Sequence, residues 1–94
     1  MSKQKAVASP VAVGNAVLIR AVTNYYTGRI AAVTKDEVVL VEAAWIADMG
    51  RFADALDNGK LSEVEPYPAG PVSINRGAIV DVCLWAHALP RDQK

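Results

Sequence analysis

The sequence holds one cysteine, one histidine and one phenylalanine, and it carries no net charge. Each scarcity excludes something. A lone Cys83 forms no internal disulfide, and within its apolar run it reads as a small core hydrophobe in a reducing compartment. No apolar run approaches the roughly 20 residues that span a bilayer, and residues 1–10 lack a signal-peptide core. No membrane partner is expected, and the cytoplasm is the expected location. His87 follows Cys83 by four positions, about 13 Å along a strand, too far for a nucleophile–base pair. Ser2, Ser9, Ser62 and Ser73 lie outside any nucleophile elbow, and neither a glycine-rich phosphate loop nor metal-ligand spacing occurs. No catalytic residue, metal ligand or cofactor is expected. The chain reads as a binding or structural element.

The neutral total hides an uneven distribution. Residues 42–65 carry six acidic and two basic side chains, a net −4, which leaves +4 on the remainder. That division gives one face that repels a phosphate backbone and one that mildly attracts it. Solvated charge without a partner accounts for the same pattern.

Apolar residues make up 52% of the 94, enough for one domain and rich for so small a monomer. Such an excess points to surface shared with a neighbour, or to a tightly packed small β-domain. Residues 1–13 (MSKQKAVASPVAV) read as a flexible arm. Short β-branched runs predict strands over 16–22, 25–33 and 37–45, joined by turns too short for crossovers. Gly28 inside the second marks a sharp bend or a close backbone approach. Met49, Phe52, Ala53 and Leu56 fall on one helical face, with Asp48 as N-cap and Asn58-Gly59 as the left-handed stop. Phe52 and Met49 are expected in the core. After the proline-rich connector 65–71, two further strands are expected at 72–75 and 78–85, and 86–94 reads as a mobile tail. The expected fold is all-β: a five-stranded small barrel over 14–86, with a helical insert at 46–71 between strands three and four. SH3-like and OB-like barrels share that strand count.

The order of these pieces resembles the Sm/LSm family. Gly28 matches the glycine of the family's bent second strand, and Val38 to Val41 match its apolar third strand. Ile74-Asn75-Arg76-Gly77-Ala78-Ile79-Val80 is similar to the family's second motif, an Arg-Gly pair between apolar strands. The run Ala43-Ala44-Trp45-Ile46-Ala47-Asp48 followed by a short helix looks like uncharacterised Sm-like proteins of phage or environmental origin. The resemblance implies a homo-oligomeric ring, expected at five to seven subunits, closed by pairing the fourth strand of one copy with the fifth of the next. It departs from the family at three places, one of them the unusually long insert from Ile46 to Pro71, whose acidity disfavours a phosphate backbone nearby. The N-terminal helix is replaced by the arm, and the turn 34–38 offers Asp36 but no asparagine to hold a base.

On that resemblance Arg76 and Gly77, with Asp36 and an outward Tyr25, are the nucleic-acid candidates, and the partner is single-stranded RNA bound weakly. The alternative for Arg76 is a pairing with Asp81 or a neighbour's carboxylate that holds the final hairpin. Of Tyr25 and Tyr26, alternation sends one to the core and one outward, where it stacks on a base or packs on a neighbour. Ile74, Ile79, Val82 and Trp85 are the expected contacts between copies, because an open barrel leaves unpaired strand edges. The rival readings are an RNA-reading Sm-like protein and a monomeric SH3-like module that binds a peptide.

Overall fold

Three strands and their tight turns come first, as the apolar alternation dictates. In the computed structural model, which describes residues 7–94, β1 spans Ala16–Ala21, β2 Tyr25–Val33 and β3 Glu37–Asp48. A helix α1 (Phe52–Asn58) follows, then β4 (Glu63–Pro66), β5 (Val72–Asn75), a 3₁₀ turn (Arg76–Ala78) and β6 (Ile79–Leu84). All pairings are antiparallel, in the order β4-β3-β2-β1-β6, with β5 also on β3. The expected helix does sit after the third strand. Among the described residues the strand count is six rather than five, and the sheet does not close into a barrel.

The extra strand arises because β3 runs to Asp48, beyond the expected end at Trp45. Its last residues pair with β4, and its first residues, from Glu37 to Leu40, pair with β5. β2 occupies the other side of β3, so β4 and β5 are two pieces of one edge, interrupted by residues 67–71.

Gly28 marks both a bend and a close approach. Thr27 pairs with Ala44 and Arg29 with Val41, so Gly28 alone faces Glu42 and Ala43. That extra residue is a bulge, and Glu42 takes a φ of 51° to make it. The Arg29 Nε donates to Glu42 Oε2 at 3.1 Å across it. A second irregularity leaves Ala31 unpaired between Ile30 and Ala32.

Alternation along the bent strands sends side chains into two apolar clusters. Leu18, Ala44, Ile46, Val64 and Trp85 form one with Ala55 of α1, and Val17, Ile19, Ile30, Val38, Leu40 and Ile74 form the other. Thr27 is fully buried and its hydroxyl has no hydrogen-bond partner. An unsatisfied buried hydroxyl costs about 1–3 kcal/mol. Thr27→Val is therefore expected to stabilise the fold by about 1–2 kcal/mol, read as a higher midpoint in a thermal melt.

The helix begins later than its sequence signals suggest. Asp48 does not cap it; its Oδ1 accepts the Gly50 N–H at 2.9 Å, and Arg51 takes the cap position without a side-chain bond. Gly59 supplies the expected stop, with φ 69° and its N–H on the Ala55 carbonyl at 2.9 Å. Starting at Phe52 leaves that ring 50% exposed, so the expected core aromatic lies outside the core, whereas Met49 is buried as expected.

Val11 of the expected arm and several residues of the expected tail contact the rest of the fold. Residues 1–6 of the expected arm lie outside the described residues, and Val11 packs against the second cluster. Leu89 packs on the first cluster, His87 Nε2 lies 2.8 Å from the Leu56 carbonyl, and Lys94 pairs with Val64.

Candidate functional site at the Arg76 turn

Two turns meet at the end of the β3–β5 pair. The Thr34 hydroxyl accepts the N–H groups of Asp36 and Glu37 at 3.2 and 3.0 Å, which rigidifies the β2–β3 turn. Opposite it, Asn75 Oδ1 accepts the Gly77 N–H at 2.8 Å and caps the 3₁₀ turn. The Arg76 N–H donates to the Asp36 carbonyl at 2.9 Å, and its Nη1 donates to the Thr34 carbonyl at 2.8 Å. Asp36, Arg76 and Gly77, separated by some forty residues of sequence, therefore share one end of the sheet.

Arg76 is exposed, and it makes no ion pair among the described residues. Asp81, its alternative partner, instead pairs with Arg20 across β1 and β6. The other guanidinium donors of Arg76 have no protein acceptor among the described residues. One nitrogen thus fixes the fork while the rest stay available for an anion or a base edge.

Tyr25 is not brought to this end. It opens β2, whereas Asp36 follows that strand's far end, roughly 26 Å away at strand rise. Tyr25 is half-buried against the helix-side cluster and Tyr26 against the other, so neither ring is presented outward.

The four expected contact residues divide. Ile74 is core, and Trp85 is 5% exposed, with its Nε1 donating to the Ala88 carbonyl at 3.1 Å and its ring edge-on to His87. Ile79 and Val82 are half-buried on β6. Val80 and Leu84 are the exposed apolar side chains of that strand, 56% and 58% accessible, and the sequence reading passed over them. Strict alternation would not have separated them from Val82, because the register slips opposite Val80, between Arg20 and Ala21.

The backbone of this edge can be assigned from register. The Trp85 N–H bonds the Ala16 carbonyl, so Cys83 and Asp81 also bond inward and the polar groups of Val82 and Leu84 face away. On β5 the Arg76–Asp36 bond fixes the alternation: Val72 and Ile74 bond β3, and Ser73 and Asn75 face away.

Burial pushes the Cys83 thiol up, and Asp81 adds to it, which keeps the sulfur protonated at neutral pH. No group of three or more potential ligands for a metal occurs among the described residues, and no described helix is long and apolar enough to cross a membrane. An open cleft of about 380 Å³ lies beside α1, where Arg51, Lys60 and Lys94 surround Asp54 and Ser62, apart from the Arg76 turn. Comparison with family models, curated proteins and solved structures gives no match to this chain.

Proposed function

We propose that this chain is a ring-forming, Sm-like protein of scaffolding type, with weak, non-specific contact to single-stranded nucleic acid through Arg76. One observation carries the reading. β5 and β6, consecutive in the chain and joined by a single turn, each have an outer edge with no partner strand among the described residues, and the sheet stays open between them. An unpaired edge with exposed Val80 and Leu84 is a template for another strand, and natural monomers usually blunt such edges. Pairing β5 of one copy with β6 of the next is heterologous, and it forms a ring when the rotation closes. Each subunit then contributes one Arg76 to the ring. Without a base-holding asparagine, those guanidinium groups contact phosphate and carry little sequence information.

The test uses two edge prolines, Ser73→Pro and Leu84→Pro. Each removes an outward N–H and leaves every backbone ladder bond intact, and Ser73→Pro also deletes the exposed bond from the Ser73 hydroxyl to Glu37. Native mass spectrometry of the wild type should give one species of about five to seven subunits, and either variant should give monomer with a nearly unchanged melting midpoint. A wild type that stays monomeric at micromolar concentration refutes the ring. For the nucleic-acid half, polarisation with uridine-rich and adenosine-rich oligomers should give similar dissociation constants of about 10⁻⁴–10⁻⁶ M that weaken with salt and with Arg76→Ala. Tight uridine-selective binding would make the chain an RNA reader instead.

A further inference from the structure

The edge formed by β4 and β5 is open along only half its length. Register assigns its outward groups. Tyr67 N–H bonds the Ala43 carbonyl, so Glu65 bonds β3, while Val64 and Pro66 face away. Pro66 has no N–H, which leaves Val64 as the one outward donor of β4. That donor is taken. Val64 N–H donates to the Lys94 carbonyl at 2.9 Å, and Lys94 N–H returns a bond to the Val64 carbonyl at 2.9 Å. Gln93 Nε2 adds a bond to Glu65 Oε2 at 3.3 Å, so residues 93–94 run beside β4 without forming a further strand.

Arg91 reaches further, to the break between the two halves. Its Nη1 donates to the Ala43 carbonyl at 3.0 Å and its Nη2 to the Tyr67 carbonyl at 2.9 Å. Ala43 belongs to the β3 bulge, and Tyr67 begins the connector that carries Pro68 and Pro71. Between Tyr67 and Pro71 the only other hydrogen bond to β3 among the described residues is from the Tyr67 N–H to that same Ala43 carbonyl, and the Tyr67 ring packs against the second cluster. The fork therefore pins the connector at its first residue, next to the end of β4 and on the path to β5. The charges agree: the segment's Arg91 and Lys94 lie on an edge that carries Glu63 and Glu65.

We propose that residues 91–94 are a latch: they close the β4 half of this edge and hold the β5 half in register, so that a second copy pairs only at β5. The inference rests on the ring reading for its consequence, and on the hydrogen bonds above for the latch itself. Releasing the latch adds a third usable edge to β5 and β6, and a third edge in one subunit permits association beyond a closed ring.

The full chain carrying Arg91→Ala and Lys94→Pro loses the fork and the Lys94 donor without touching either apolar cluster. Hydrogen exchange should show the Val64 amide at least about tenfold faster than in the wild type, with Val72 and Ile74 faster as well. Sedimentation, in about 0.5 M salt to screen Glu63 and Glu65, should replace a single assembly by a concentration-dependent distribution. Adding Ser73→Pro separates the two ideas, because it removes pairing at β5 and should leave the association gained at β4. If the wild type is monomeric and the released variant associates, the ring fails and the latch stands. Unchanged amide exchange in the folded variant, or a triple variant that remains monomeric, overturns the latch.

Discussion

Gly28→Val is expected to lower stability by about 3 kcal/mol or more, because an extra Cβ has nowhere to go. A Cβ built at Gly28 lies 3.0 Å from both Cβ and Cδ1 of Leu40, and 3.3 Å from the Val41 carbonyl oxygen. Leu40 is fully buried in the second cluster, so its side chain has no free rotamer to retreat into, and the carbonyl belongs to the bulged strand. Replacing a strand glycine ordinarily gains about 0.5–1 kcal/mol by stiffening the unfolded chain, which is too little to offset overpacking of this kind. For a domain of this size the thermal midpoint should fall by about 12–24 °C. Gly28→Ala should fall as well, by less, since it lacks the two methyl groups of valine. A midpoint that rises for Gly28→Ala would show that the bulge relaxes to admit the methyl.

The second large effect separates the two residues that best report where the helix-side core sits. Leu18→Ala should cost about 2–5 kcal/mol, since Leu18 is buried among Ile46, Ala55, Val64 and Trp85 and leaves a cavity behind. Phe52→Ala, although it deletes a larger side chain, should cost less than about 1 kcal/mol because half of the ring already faces water. Urea melts of the two variants decide it. A Phe52→Ala loss equal to that of Leu18→Ala would place the helix on the sheet through its first turn instead of through Ala55 and Leu56.

The parts of the fold legible in the sequence are those whose residues announce their own period. The runs AVLIRA, YYTGRIAAV and EVVLVEAA alternate or branch as strands do, and Asn58-Gly59 supplies the left-handed stop directly. β4 was not legible, because Glu-Val-Glu-Pro offers one apolar residue, two acids and a proline. It is a strand only because β3 runs on to Asp48 and presents a partner, and its charges are those of a protected edge. Phe52 misled for a related reason. Its spacing fits the apolar face, but Asp48 spends its carboxylate on Gly50, the helix starts four residues later, and Phe52 becomes its exposed first residue.

At the site, the Arg-Gly turn and Asp36 were legible as neighbours through resemblance alone, and the bonds to Thr34 and Asp36 bring them together. Tyr25 was drawn in by the alternation that sends one of two adjacent tyrosines outward, yet a nine-residue strand carries it to the opposite end. Arg91 gave no signal at all. Its acceptors are backbone carbonyls of Ala43 and Tyr67, and main-chain oxygens leave no trace in side-chain pattern.

The pairing of β1 with β6 has a consequence for the order of folding. β1, β2 and β3 meet through turns of three residues each, so their contacts close small loops early and at little entropic expense. β6 can reach β1 only when Arg20 and Asp81, 61 residues apart, are brought side by side. That long loop is the slow step that topology imposes, and a newly made chain holds its meander well before its last strand arrives. Until then β1 is itself an open edge, offering a growing chain the same backbone groups that β6 will later cover.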